Sequence, residues 1–468
     1  MTRPLWTLQE LAEIFGPPTA ATTQDAGGVS IDTRTLKAGD LFVAVKGDTH
    51  DGHDHVARAF EAGASAALVS RDVGGGALFV VDDSLRGMER LGQSARRRNA
   101  GRILAISGSV GKTSAKEMAR TALSAVGQTH ASAASFNNHW GVPLTLARLP
   151  AEAAYGVFEI GMNHAGEITP LVGFVRPHVA LVTTIGPVHI EHFGSLEAIA
   201  DAKAEIFSGL APGGAAVLNR DAPQYERLAA VARARGRVAT FGASAGGDAR
   251  LIACVAEGEG SRVEAEIAGA RLAFRLGAPG RHMAENAVGV LLACYLLGAP
   301  LDVCADALAA FGPAKGRGER FTLAAPGGSF ILIDESYNAN PLSMRAALGL
   351  LGATKPGPGG RRIAVIGDML ELGADGAALH AGLAPDLEAQ NVDLLFGAGP
   401  LTRALYDAAP AALRGAHAGR AEDLREALLG ALRAGDVVMI KGSNGSRMGP
   451  LAAALREHFA PATSGSGL

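Results

Sequence analysis

Cysteine is scarce in this sequence: Cys254, Cys294 and Cys304 are its three thiols, with neither a Cys-x-x-Cys pair nor a metal spacing. That argues against a disulfide framework and fits a reducing compartment. Charge of one sign is also missing. A net charge of -3 over 468 residues exerts no whole-protein pull toward nucleic acid, though a local basic pocket for phosphates remains compatible with it. Long hydrophobic runs are absent too. The most apolar stretch, Ala287 to Leu301, is too short to span a bilayer. The opening residues Met1 to Trp6 hold no apolar core of signal-peptide length. A cytoplasmic protein without a membrane span is expected. Aromatic residues are few at 5%, whereas glycine is frequent at 62; with the many Val, Ile and Ala runs, this suits α/β layers joined by tight turns.

The length allows two to four domains with their own cores, and three regions differ in texture. Residues 1–100 alternate short β segments, such as Asp40 to Val45 and Ala66 to Val69, with helices. The helical stretch Arg86 to Asn99 ends in Arg96-Arg97-Arg98, read as a solvated helix end. Residues 101–312 carry apolar strands of four or five residues at Ile103–Ile106, Val157–Ile160, Val179–Thr183 and Ala216–Leu218. Helices between them imply a parallel sheet covered on both faces. Alternation with Gly-rich breaks over Arg250 to Leu276 predicts a small attached antiparallel sheet. Residues 313–468 repeat the strand–helix pattern at Phe330–Ile333, Ile363–Ile366, Asp393–Phe396 and Val437–Ile440, which predicts a second doubly wound, Rossmann-like domain. The tail Pro461 to Gly467 reads as disordered.

The strongest motif is Ser107-Gly108-Ser109-Val110-Gly111-Lys112-Thr113-Ser114, after a strand and before a helix predicted over Ser114 to Val126. Backbone N–H groups there can surround phosphate oxygens, where the helix dipole favours negative charge. Gly108 and Gly111 permit close approach, Lys112 can reach the β- and γ-phosphates, and the Thr113 hydroxyl can ligate Mg²⁺. The match is Gly-x-x-Gly-Lys-Thr only, since Ile106 stands where the longer pattern has its first glycine. The loop argues for nucleotide binding, not for a reaction.

Three further residues follow in order. Glu159 ends an apolar strand, so its carboxylate points into the crevice where ligands bind and is placed to hold a metal; a strand-end surface residue is the plain alternative. His189 comes just after the next strand and is either a metal ligand or a hydrogen-bonded core histidine. Lys203 sits on the helix after Ser195, where spacing alone suggests a solvated side chain.

Phosphate loop, strand-end Glu, His and helical Lys in this order resemble the Mur ligase family, over essentially the whole chain and its three regions. The resemblance implies ATP and Mg²⁺, with Thr113, Glu159, His189 and Lys203 at the metals and Lys203 carbamylated by CO₂. Gly280-Arg281-His282-Met283-Ala284-Glu285-Asn286 resembles the family segment whose Asn, here Asn286, contacts adenine; helix-start packing is the plain alternative. An arginine and an acid near the γ-phosphate and ribose are also implied. Arg317 or Arg320, and Asp334 or Glu335, are the candidates, with Arg317 and Asp334 preferred.

Asp334-Glu335-Ser336-Tyr337-Asn338-Ala339-Asn340-Pro341, Gly367 to Gly373 and Asn137-Asn138-His139-Trp140-Gly141 resemble the branch that adds D-alanyl-D-alanine. The Asp-Tyr-Ala-His-Thr-Pro and Asp-Asn-Pro-Arg elements typical of the diaminopimelate-adding branch are absent. Ser30, Asp32 and Arg34 resemble the part that holds the uridine nucleotide, a turn capped by Asp32 being the alternative. The implied partners are UDP-N-acetylmuramoyl-tripeptide and D-alanyl-D-alanine, met by Ser30, Asp32, Arg34, Asn137, Asn138, Tyr337 and Asn338 in a monomer. Implied chemistry is formation of an acyl phosphate at the γ-phosphate, then attack by an amine, with Lys112, His189, Lys203 and Arg317 as the catalytic set. The rivals are another amino-acid ligase of the same family and a nucleotide-switched binding protein. The second would need a base-reading Asn-Lys-x-Asp element, which is not found.

Overall fold

The structure, a computed structural model, describes residues 3–47, 49–133, 135–188, 190–459 and 461. Among these residues three sheets follow one another along the chain. In the first, β1 (Gly28–Ser30), β2 (Asp40–Val43), β3 (Ala66–Val69) and β4 (Leu78–Val80) lie parallel in chain order. β2 and β3 are buried at every position, as short apolar strands covered on both faces should be.

The second sheet holds β5 (Arg102–Ser107), β6 (Thr129–Ala131), β7 (Tyr155–Glu159), β8 (Val179–Val182), β9 (Ala215–Asn219), β10 (Arg237–Gly242), β11 (Ala249–Glu257), β12 (Gly260–Ile267) and β13 (Ala270–Leu276). Their order is β13-β12-β11-β10-β9-β8-β5-β7-β6. The expected antiparallel part is the β11–β12–β13 meander. It is not a separate sheet, because β11 pairs in parallel with β10 and extends the central one. β5 lies between β7 and β8, so the chain leaves it toward one side first and returns on the other. That reversal opens a crevice at the strands' carboxyl ends. The helix expected from Ser114 begins earlier, at Lys112, and runs to Ser124.

The third sheet holds β14 (Glu319–Ala325), β15 (Gly328–Glu335), β16 (Arg362–Gly367), β17 (Leu394–Ala398), β18 (Arg414–Ala418) and β19 (Val437–Lys441), ordered β14-β15-β19-β16-β17-β18. β14 is antiparallel to β15; the other pairs are parallel. Hydrophobic side chains fill both faces of this sheet. No helix among the described residues is long and apolar enough to cross a membrane. The apolar stretch from Ala287 belongs to the helix Arg281–Leu296, packed in the core of the central sheet. Of the tail, Pro461 bridges Leu323, and residues 462–468 lie outside the described residues.

The basic run closing the helix Ser84–Arg98 departs from its reading as a solvated end. Arg97 is exposed, but Arg96 is buried and donates to the carbonyls of Val175 (2.7 Å), Arg176 (3.0 Å) and Asn99 (3.3 Å). Burial lowers its guanidinium pKa to about 10, which still leaves it charged at neutral pH. Arg98 lies 3.5 Å over the Trp6 ring and pairs with Glu10 at 3.0 Å. Trp6 Nε1 donates to Ala147 O (2.8 Å) and Arg148 Nε to Val29 O (2.6 Å). The first and second sheets are thereby stapled through side chains bonded to carbonyls that are buried or partly buried. Arg96→Ala is expected to cost about 2–4 kcal/mol by orphaning buried carbonyls, against about 0.5 kcal/mol or less for Arg97→Ala. Urea denaturation of the two variants checks the contrast.

Candidate active site

The phosphate loop leaves β5 at the crevice, and its path has no room for side chains at two points. Gly108 has φ 138°, and a Cβ there would run into Thr183 Oγ1. Gly111 is left-handed at φ 86°, and a Cβ there would sit 2.6 Å from Asn286 Nδ2. The loop is held from the segment after β8. Ser109 N donates to Thr184 O (2.8 Å), Ser109 Oγ to Gly186 O (3.1 Å), and Thr183 Oγ1 to Val110 O (2.6 Å). Lys112 Nζ folds back onto the carbonyls of Gly108 (2.6 Å) and Ser109 (3.3 Å). Its pKa is lowered by burial and, less, by Arg317, while Glu159 opposes the shift. Ser109, Val110, Gly111, Lys112, Thr113 and Ser114 all line one cleft of about 560 Å³.

Glu159 closes β7 in register with Ile106 of β5, so its carboxylate stands beside the loop. Only 1% of the residue is exposed. Oε1 accepts from Asn137 Nδ2 at 2.7 Å, whereas buried Oε2 finds no donor among the described residues. An orphaned carboxylate oxygen in the cleft that Thr113 also lines fits a hard cation bound jointly with phosphate. Among the described residues no cluster of three or more His, Cys, Asp or Glu could hold a metal alone, so phosphate or water oxygens must complete such a shell. His189 lies outside the described residues. Asn138 does not line the cleft; its Oδ1 accepts from Gly141 N (2.9 Å) and shapes the turn.

Lys203 is not the solvated side chain its spacing suggested, being 3% exposed near the end of the helix Leu196–Ala204. Its ammonium pKa is pushed well down, first by burial and then by the charge of Lys112, against the pull of Glu159, Glu205 and Glu167. The segment before the helix Arg281–Leu296 supplies the next part of the wall. Gly280 at φ 109° lies against the His282 ring, where burial disfavours the imidazolium. His282 and Asn286, one turn apart, both face the cleft.

The opposite wall comes from the third sheet. Arg317 lines the cleft with its guanidinium 4.1 Å over the Tyr337 ring, and Tyr337 Oη donates to Ser135 Oγ at 2.8 Å. Arg320 points elsewhere and donates to Thr354 Oγ1 at 3.0 Å. The preference for Asp334 over Glu335 is not what the geometry presents. Asp334 is buried and accepts from Ser336 N (3.1 Å) and Oγ (2.5 Å), outside the cleft lining. Successive strand residues face opposite ways, so Glu335 meets the cleft and pairs with Lys441 Nζ at 3.3 Å. Lys441 was missed; its signal was the one that marks Glu159, a charge ending an apolar strand. Ser135 and Thr183, each making a contact that holds the cleft together, carried no comparable mark. Asn338 also lines the cleft, together with a second pocket of about 430 Å³ that shares Asn163, Val188, Tyr337, Asn338 and Asn340 and continues to Leu370, Leu372, Ser443 and Asn444.

Ser30, Asp32 and Arg34 lie at the end of β1 and are not among the residues lining this cleft. Arg34 N and Nε each donate to Asp32 Oδ1 at 2.9 Å, and Thr35 N and Leu36 N donate to Asp32 O at 3.1 and 3.0 Å. The turn capped by Asp32 is therefore present, with the carboxyl pKa lowered to about 2, chiefly by Arg34.

A cleft that joins a phosphate loop and an orphaned carboxylate on one sheet to an arginine on the next is the architecture of a nucleotide-using enzyme with three α/β units. Models of the Mur ligase family match in three places. They are the catalytic domain at residues 26–84, the middle domain at 106–294 and the glutamate ligase domain at 316–444. The chain belongs to the Mur ligase family. It is 36% identical to the UDP-N-acetylmuramoyl-tripeptide–D-alanyl-D-alanine ligase of Escherichia coli over 97% of this chain and 98% of that one. The ligase of the same name from Rickettsia prowazekii is 32% identical over 90% and 93%. Among solved structures, a crystal structure of MurF from Acinetobacter baumannii superposes with TM-score 0.84 at 29% identity, covering 97% of this chain and all of that one.

Gly111→Ala is expected to weaken ATP binding by roughly tenfold or more, since it strains the loop and displaces the Asn286 amide. Titration with a fluorescent ATP analogue measures it. Unchanged affinity would show that the loop does not seat the nucleotide.

Proposed function

We propose that this ligase joins D-alanyl-D-alanine to UDP-N-acetylmuramoyl-tripeptide, consuming ATP through an acyl phosphate, as a monomer in the cytoplasm during peptidoglycan precursor synthesis. Mur ligases form amide bonds at the expense of ATP, so the class of reaction follows from the family. The observation that carries the finer reading is the single cleft onto which the phosphate loop, Glu159 and Arg317 all look, with a side pocket opening from its rim. Residues 1–100 would take the uridine nucleotide through Ser30, Asp32 and Arg34, 101–312 the ATP, and 313–468 the dipeptide. The side pocket is large enough for two alanines, and its walls by Leu370 and Leu372 suit methyl groups.

In this reading, Lys112 leaves the carbonyls of Gly108 and Ser109 for the phosphates of ATP. Val110 and Ser114 line the same phosphate seat, and Asn286 meets the adenine. Thr113 and Glu159, joined by His189 and Lys203, would hold magnesium. The metal supplies charge neutralisation for the migrating phosphoryl group. The tripeptide carboxylate, positioned by Asn137 on the turn that Asn138 shapes, bonds to the γ-phosphorus as the bond to the β–γ bridging oxygen breaks and ADP departs. Arg317 stabilises the charge from the opposite wall, and Glu335 rather than Asp334 is the acid facing the nucleotide. The dipeptide amine, guided past Tyr337 and Asn338, then adds to the acyl carbon and phosphate leaves.

Lys203 enters through its burial. A buried amine beside Lys112 is held toward its neutral form, which is the form that adds to CO₂ with loss of a proton to give a carbamate. The carbamate oxygens would add to the groups that hold the metal. Lys203→Ala is expected to lose roughly a hundredfold in kcat and to regain part of it with added short-chain carboxylates. Near-full activity without them would sink the carbamate. The reaction itself is tested by phosphate release from purified protein, ATP and UDP-N-acetylmuramoyl-tripeptide, with D-alanyl-D-alanine compared against diaminopimelate, lysine and glutamate. The dipeptide should be the amine that drives turnover. A preference for one of the others would move the chain to a different branch of the family.

A further inference from the structure

Lys441 is a buried cation that the reaction scheme above does not use. It ends β19, is 2% exposed, and stands in register with Glu335 on the neighbouring β15. Its Nζ lies 3.3 Å from Glu335 Oε2, 2.9 Å from Asn338 O and 3.5 Å from Glu335 O. A single ammonium thus gathers three oxygens of the turn that follows β15. Burial pushes its pKa down while Glu335 pulls it up.

That turn supports the segment before β14 that holds Arg317. Gly316 and Gly318 flank the arginine at φ 69° and 102°, and both press against the turn. A Cβ on Gly316 would lie 3.1 Å from Tyr337 N, and one on Gly318 would lie 3.2 Å from Glu335 Oε1. Two backbone bonds lock the pair, from Gly318 N to Asp334 O (2.8 Å) and from Tyr337 N to Gly316 O (3.0 Å). The Tyr337 ring then supports the guanidinium, and its hydroxyl reaches Ser135 on the other wall. A chain of contacts runs from Lys441 to the turn, from the turn to the Gly316–Gly318 segment, and so to Arg317.

We propose that Lys441 is a positioning residue for phosphoryl transfer. It pins the Glu335–Asn338 turn and thereby holds Arg317 at the height where the γ-phosphate passes. The proposal rests on the reading of Arg317 given above. Lys441 lines the cleft, but its ammonium is taken up by Glu335 and the Asn338 carbonyl, so its removal acts on the geometry of the transition state more than on ATP binding.

The test is a double-mutant cycle on the full chain with ATP, UDP-N-acetylmuramoyl-tripeptide and D-alanyl-D-alanine, read as kcat, KM for ATP and melting temperature. Lys441→Met is expected to lower kcat by roughly 10- to 100-fold, because a small displacement of an aligned group has that effect. KM for ATP should stay within about threefold. Arg317→Ala should lower kcat as well, and the double variant should be little worse than Arg317→Ala alone. Should Lys441→Met fail to fold, Lys441→Gln, which keeps a donor for the Asn338 carbonyl and removes the charge, should show the same split on a smaller scale. Losses that multiply in the double variant, or a fall confined to KM, would overturn the pin. Full activity of Arg317→Ala would instead overturn the role given to the arginine, and a loss there beside fully active Lys441→Met and Lys441→Gln would overturn the pin alone.

Discussion

Two places in the phosphate loop leave no space for a Cβ, and the rest of the site is arranged around them. Thr183 fills the space beside Gly108, and Asn286 fills the space beside Gly111. The backbone can follow that path only if the end of β8 and the start of the helix Arg281–Leu296 arrive at fixed positions. This brings three strand ends, those of β7, β5 and β8, into one row. Glu159, the loop and Thr183 are neighbours for that reason and need no sequence proximity. The loop backbone is thereby fixed by its neighbours, while the Lys112 side chain rests on the carbonyls of Gly108 and Ser109.

The cleft is bounded by walls of different kinds. The first and second sheets are joined by Trp6, Arg96, Arg98 and Arg148, side chains that donate to carbonyls across the interface or pack within it. The third sheet meets the second through the exposed Tyr337–Ser135 hydrogen bond and through Leu342, which occupies the space beside Gly186. The first interface is built on side chains bonded to carbonyls, whereas the second adds to its contacts the packing of Ile190 against the core of the third sheet, and an interface of that kind is where closure is accommodated. Arg317 and the pocket by Leu370 belong to this second, less tightly tied wall.

Residues whose chemistry depends on local backbone form were legible in the chain. The Gly108–Thr113 loop, the strand ending at Glu159 and the alternation of Arg250 to Leu276 each appear with the form that pattern implies. Residues whose state depends on what covers them were not. Arg96 and Lys203 sit on helices where spacing suggests water, yet the packing of neighbouring elements buries both. Asp334 and Glu335 are adjacent acids that composition treats alike, and only the direction of the last strand residue separates them. Lys441 could be noticed as a charge at a strand end, but its partner Glu335 is 106 residues away.

Periodicity, turn chemistry and motif order therefore determined the three α/β units, the nucleotide loop and the family, because these follow from backbone sterics and from burial repeated every second or every third to fourth residue. Tertiary structure decided which charges are buried, which acid lines the cleft and which wall holds Arg317. Those are properties of pairs of distant residues, since desolvation and Coulomb interaction depend on distance in space and carry no trace of separation along the chain.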